Sequence, residues 1–274
     1  MAAGYRHLCR FAVGACLLAN LHANAQCDPR ESAETVSNVV SHELSLAPQQ
    51  GRWMYIARYS ENGVRIEARK IQTDDGILTW VLSRDGTPLS QAEVEQQKKH
   101  LDDLISDPSF LAANRKAMLD DNTRINTLLA DLPQSVQLEC PAQGAGVATI
   151  HFKPLDNTSS LSLEKRILSG MSGNLQLDLE DMRLVSANGS EQHDVSLFLG
   201  IARVSKGSSI SLTRAQVAPG VWEASLISTH IRGHILFLKT IAQDREEART
   251  EYKRVPSRLS ARDAIRFLEI QGSD

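Results

Sequence analysis

The chain has only four cysteines, and no two of them form a CxxC pair, so the donor spacing of a structural metal site is missing. It also lacks G-x-S-x-G, H-E-x-x-H, a Walker loop and a dinucleotide fingerprint, the motifs that would by themselves name a reaction. Neither sign of charge dominates, with 30 Lys and Arg against 33 Asp and Glu and a net charge of −3. That mild acidity excludes the basic footprint of a nucleic-acid binder. No apolar run reaches the roughly 20 residues that span a bilayer. No Pro- or Gly-rich linker divides the chain after residue 26, so one domain over 26–274 is expected.

What is present begins with the first 26 residues. Arg6 and Arg10 form a positive region with no acid before Asp28, residues 11–21 are apolar, and Ala23-Asn24-Ala25 is an A-x-A cleavage signature. Residues 1–25 are therefore expected to be a cleaved signal peptide, which places the mature protein in the periplasm or outside the cell. A lipid-modified Cys16 in Val13-Gly14-Ala15-Cys16 is the alternative, but it would leave almost no apolar segment upstream to engage the membrane. Cleavage leaves Cys27 and Cys140, and an oxidising compartment permits them to pair.

Residues 32–46 read as a helix with Val36, Val39, Val40 and Glu43 on one side. The period then changes to two. Residues 52–59 and 64–71 flank Asn62-Gly63, and Val64, Ile66 and Ala68 alternate with Arg65, Glu67 and Arg69, which predicts a hairpin. A third strand follows over 77–83. Ser90-Gln91-Ala92-Glu93 is a capping box that opens a helical segment over about 90–132, interrupted at Pro108. Phe110, Ala113, Ala117, Ile125, Leu128 and Leu129 are spaced as one apolar stripe of that segment.

Residues 134–256 read as almost wholly β, with turns expected at 144–146, 170–173, 188–189, 206–207 and 219–220. Leu175 and Leu177 alternate with Asn174, Gln176 and Asp178; Val195, Leu197 and Leu199 share a face; Trp222, Ala224 and Leu226 oppose Glu223 and Ser225. Long strands over about 231–241 and 247–255 precede a C-terminal helix from Ser260, with Asp263 in capping-box position. The fold class expected is α+β, a curved antiparallel sheet covered by helices.

Candidate chemistry is sparse. Ser162-Leu163-Glu164-Lys165 fits S-x-x-K, but that geometry needs a helix and the segment reads as strand. His230 and His234 would share one face of a strand with no third ligand in view, so no metal is expected. Asp178, Glu180 and Asp181 read as solvated charges. Asn157-Thr158-Ser159 and Asn188-Gly189-Ser190 match the glycosylation sequon. Trp53, Tyr55, Trp80 and Trp222 are aromatics that either fill a core or line a cleft.

The run from Leu168-Ser169-Gly170-Met171-Ser172-Gly173 through Met182-Arg183-Leu184, Lys206-Gly207, Gly220-Val221-Trp222 and Gly233-His234-Ile235-Leu236-Phe237 resembles the periplasmic outer-membrane lipoprotein carrier and sorting proteins. The resemblance lies in strand and turn rhythm and covers about a third of the mature chain. It implies a half-open β-barrel whose apolar concave face shelters acyl chains, without catalysis and without a cofactor. Related half-barrels serve as envelope sensors. The expected function is accordingly an exported, non-catalytic protein that holds a lipid or lipidated protein on a face lined by Leu177, Leu197, Leu199, Trp222 and Leu236. The alternatives are an envelope sensor or interaction module with a filled core and, third, a hydrolase using Ser162 or His230. Expected partners are acyl chains or an envelope protein, with peripheral membrane contact and no nucleic acid.

Overall fold

A computed structural model describes residues 29–47, 51–143, 146–155, 163–197, 202–235 and 239–270. The expected signal peptide and Cys27, Leu199, Leu236, Ser162 and the 157–159 sequon lie outside the described residues. Cys140 is disulfide-bonded, and the other three cysteines also lie outside them.

Helix α1 (Pro29–Leu46) precedes strands β1 (Arg52–Glu61), β2 (Val64–Thr73), β3 (Gly76–Arg84) and β4 (Thr87–Pro88). Asn62 and Gly63 turn the first hairpin with φ of 51° and 81°, the left-handed pair of a type I′ turn that asparagine and glycine tolerate. Two helices follow, α2 (Gln91–Ser106) and α3 (Pro108–Ser135). The Ser90 side chain accepts the Glu93 N–H while the Glu93 carboxylate accepts the Ser90 N–H, completing the capping box. Ser90→Ala should therefore cost about 1 kcal/mol of stability in a urea titration. A loss confined to a few tenths would show that α2 is held by packing alone.

The second half contains β5 (Gln137–Leu138), β6 (Ala142–Gln143), β7 (Val147–Lys153), α4 (Leu163–Gly170), β8 (Met171–Asp178), β9 (Arg183–Glu191), β10 (Val195–Leu197), β11 (Ala202–Val204), β12 (Ser209–Ala218), β13 (Val221–Ile235), β14 (Lys239–Val255) and α5 (Ala261–Ile270). The described strands form one open antiparallel sheet in the order β4-β3-β2-β1-β14-β13-β12-β9-β8-β7-β5, with β11 and β10 continuing beside β13. Its edges are blunt. The two-residue β4 ends in a proline, and β5 and β6 are two-residue fragments, a form of edge that resists pairing with another chain.

Several expectations need correction. Residues 163–170 are helix α4, where strand was expected, so the structural objection to S-x-x-K falls; Lys165 ion-pairs with Asp131 at 3.2 Å. Asn188-Gly189 and Gly173 are not turns but face each other inside β9 and β8. A Cβ on Gly173 would lie 1.9 Å from the Asn188 carbonyl, and one on Gly189 would meet Met171 and Phe152, so these glycines serve close packing. The last hairpin is longer than expected: β13 and β14 run 15 and 17 residues.

Register shows which faces are covered. Directly paired residues share a face, so Ile66, Tyr59, Glu247, Ile227, Leu212, Ala187, Leu175 and Ile150 form one row across eight strands. At the β7–β9 end of this face, α1, α4 and the C-terminal end of α3 pack Val36, Val39, Leu132 and Leu168 against Ile150, Leu175, Leu177 and Leu184. At the β1–β3 end the covered face is the opposite one, where Met54, Ile71, Leu78 and Trp80 meet Leu101 and Ile105 of α2 and Ala264, Ile265 and Leu268 of α5. Sheet twist of about −20° to −25° per strand step accumulates across the intervening strands and brings opposite faces at the two ends toward one side. Helix α3, about 42 Å long at 1.5 Å per residue, joins the two cores. Its Asn114 donates to the Asp75 carbonyl at 2.6 Å and its Leu132 enters the other core. Between those anchors it stands largely in solvent, and Ala117 and Ile125 (54% exposed), like Ala113 beside the first anchor, are not the buried stripe their spacing predicted.

Candidate functional site

Between the two helix-covered ends, the face that carries the eight-residue row has a middle formed by β12, β13, β14, β1 and β2. It divides into a polar, aromatic half and an apolar half.

The polar half grows from β1. Trp53, Tyr55 and Ala57 are buried on this face because the β12–β13 hairpin tip, with Val217, Ala218 and Val221, folds over them. Tyr55 stacks on Tyr252 of β14 at 5.1 Å, and Trp53 meets Tyr252 edge-on at 6.1 Å. Tyr252 donates its hydroxyl to the Ala224 carbonyl, whereas the buried Tyr55 hydroxyl has no hydrogen-bond partner among the described residues. Burial pushes Tyr55 up to about 12 and raises Tyr252 as well. Both phenols stay protonated at neutral pH and are poorly matched to acid–base work there.

Beside these rings, Glu247 is 2% exposed and receives three cations: Lys70 at 2.7 Å, Arg249 at 2.7 Å and Arg245 at 2.8 Å. Burial works to raise its pKa, but the Lys70 hydrogen bond, the Arg249 charge and the Arg245 hydrogen bond outweigh it and hold Glu247 at about 2. Lys70 and Arg245 also lie over the Tyr59 ring at 4.8 and 5.8 Å, and Arg249 over Tyr55 at 5.0 Å, contacts in which a cation meets the negative face of the ring. Three cations around one carboxylate leave an excess of positive charge on this half. Glu223, which alternation assigned to the polar side, lies near these charges; burial pushes its pKa up, opposed by the charges of Arg214, Arg249 and Arg183.

The apolar half continues the row through Ile227 and Leu212, both half-buried, with Ile231 farther along the same phase of β13. Ile210 is 51% exposed. Its cross-strand partners are Thr229 and Gly189, which contribute little bulk. Where the helices end, the apolar face remains accessible.

The named candidates scatter. Leu177 is buried beneath α1 in a filled core, and Trp222 is half-buried with a buried Nε1 that has no hydrogen-bond partner among the described residues. Leu197 lies in β10, beside neither of them in register. His230 pairs with Asp244, which also binds Arg232 at 2.7 Å, and His234 contacts Thr240 at 3.4 Å. Among the described residues no group of three or more His, Cys, Asp or Glu could hold a metal ion, and no helix is long and apolar enough to cross a membrane. Asp178 shapes a turn by accepting the N–H groups of Glu180 and Asp181, both at 2.9 Å. A groove of about 380 Å³ beside the first hairpin shares Tyr59 and Ile66 with this face and adds Arg58, Arg65, Glu67 and Glu246, and its Arg58 and Glu67 are already paired at 2.7 Å.

Sequence reasoning passed over Lys70, Glu191 and Glu247. The signal was present at two of these positions: Lys70 continues the apolar phase Ile66, Ala68, and Glu191 the small-residue phase Ala187, Gly189. A charge in the buried phase of an alternating strand marks a buried ion.

Together these features define an α+β protein with one open antiparallel sheet, two helix-covered cores and, between them, a face that joins a largely buried aromatic and ionic cluster to a half-exposed apolar strip. No family model, curated protein or solved structure matches the chain.

Proposed function

We propose that the chain is an exported, non-catalytic binding protein, a half-open barrel freed of residues 1–25, whose uncovered sheet face takes the acyl chain of a lipid or lipidated protein. The observation that carries this reading is Ile210, half exposed and two residues along β12 from Leu212, on the same face as an apolar row that helices cover on β7–β9 and leave uncovered on β12 and β13. Ten methylenes buried on such a strip would contribute about 8 kcal/mol, from which association subtracts at least about 4 kcal/mol, so a single chain of that length is held weakly and a longer or second chain is needed for tight binding. The filled core around Leu177 moves the expected contact from that residue to Ile210, Leu212, Ile227 and Ile231.

Native mass spectrometry of the protein purified from its own compartment, followed by solvent extraction, tests the reading. Stoichiometric lipid is expected, and it should be lost in Ile210→Asp, a change at an exposed site that leaves the thermal midpoint within a few degrees. A lipid-free mass for the unaltered protein would overturn the proposal. It would favour the second reading, an interaction module, which the two filled cores support.

A further inference from the structure

Glu191 closes β9 and is 3% exposed, yet neither of its carboxyl oxygens has a hydrogen-bond partner among the described residues. It faces the same way as Met171, its pair on β8. Its surroundings are the C-terminal end of α4 and the start of β10: a Cβ added to Gly170 would lie 2.5 Å from Glu191 Oε2 and 3.1 Å from Val195. The backbone is fully engaged. Glu191 N–H donates to the Ser208 carbonyl, its carbonyl accepts from Gly207, and Gln192 N–H donates to the Gly170 carbonyl. The side chain is therefore held in place by its own strand while its polar atoms go unanswered.

No described charge answers it. Lys165 of α4 pairs with Asp131, and Arg166 donates to the Ser196 carbonyl. His193, which precedes β10, and Lys206, which precedes β12, are exposed. Asp194 pairs with Arg203 of β11 at 3.2 Å, and Arg232 of β13 with Asp244. The nearest helix end is a C-terminus, whose partial negative charge also disfavours a carboxylate.

We propose that Glu191 is a proton-controlled latch: protonated, it lets α4 and β10 close over the end of β9, and ionised, it places an unpaired charge at that junction and releases them. The geometry carries this, since a carboxylic acid can be buried without a counter-ion far more cheaply than a carboxylate. Burial pushes the group from 4.5 up to about 7, which agrees in direction. A folded-state value above the unfolded one means that the stabilisation is complete below about 4.5 and is lost as pH rises to about 7. The latch is a property of the free protein and does not depend on what the sheet face binds.

Hydrogen exchange of the full mature chain, expressed as protection factors at pH 5.5 and 8.5, tests it. Amides of 163–170 and 195–197 are expected to lose protection at the higher pH by at least about tenfold, the consequence of one unit of separation between folded and unfolded values. The β1–β2 hairpin should change little. In Glu191→Gln, which keeps the shape and removes the ionisation, protection of both segments should become independent of pH. Equal protection at the two pH values in the unaltered protein, or the same loss in Glu191→Gln, as a transition driven by His193 would produce, overturns the proposal. If Glu191→Gln does not fold, a carbon-13 titration of the Glu191 carboxyl in the unaltered protein decides: a midpoint near 7 supports the latch, and one in the ordinary glutamate range overturns it.

Discussion

Replacing Glu43 with alanine is expected to lower the free energy of unfolding by about 3–5 kcal/mol, the scale for stripping a buried ion cluster of its counter-charge. One carboxylate oxygen of Glu43 receives Arg183 Nε at 3.0 Å, Arg214 Nη1 at 2.5 Å and the Leu184 N–H at 2.9 Å. The two guanidiniums in turn hold the Gly220 and Trp222 carbonyls. Glu43 thus ties α1 to β9 and β12, and through them to the tip of the β12–β13 hairpin that covers Trp53 and Tyr55. Without it, two nearly buried arginines lose the carboxylate between them, and α1 loses a charged link to the sheet. Urea titration measures the effect, and Arg214→Met in the same background separates charge from packing: it should restore part of the loss by removing one orphaned cation. A Glu43→Ala loss under 1 kcal/mol would show that α1 is held by Val36, Val39 and Val40 alone.

Glu247→Gln is the second large effect, about 3 kcal/mol at neutral pH, because the amide keeps the shape but supplies no charge to Lys70, Arg245 and Arg249. This loss depends on pH in a direction fixed by the shift. Glu247 is held at about 2, below its ordinary 4.5, so its contribution is present above about 4.5 and disappears as pH falls toward 2. Stability of the unaltered protein should decline across that acid range, and the Gln variant should decline less steeply there. Glu191 acts oppositely, losing its contribution between about 4.5 and 7. A stability profile combining both is expected to peak near pH 4.5 to 5 as far as these two groups determine it. Parallel acid limbs in the unaltered protein and Glu247→Gln would refute the role given to the cation cluster. Measuring both proteins at pH 3 and pH 7 is sufficient.

How much of this was legible in the chain varies with the range of the forces involved. Asn62-Gly63, the Ser90 and Ser260 caps and the break at Pro108 were readable because each is decided within four residues by backbone sterics or a single hydrogen bond. Helix α4 was missed because eight residues carry too little periodicity to outvote the strand-like sequence around them. The Gly173 and Gly189 pair was misread as two turns: glycine permits a turn, but here it makes room for Phe152 and Met171, a demand that exists only once β8 and β9 lie side by side. Likewise Lys70 and Glu247 are 177 residues apart, and no local pattern announces that a lysine in the buried phase of one strand will find its anion on another.

By itself the sequence determined the α+β class, the alternation of the strands, the helix starts and the absence of any motif that names a reaction. Only the tertiary structure decided that one sheet carries two cores on opposite faces, that α3 touches the protein at its ends and not along its stripe, and that Ile210 is left uncovered while Leu177 is sealed. The reason is physical: periodicity states which side of an element is apolar, but sheet twist accumulated over many strands determines what that side meets.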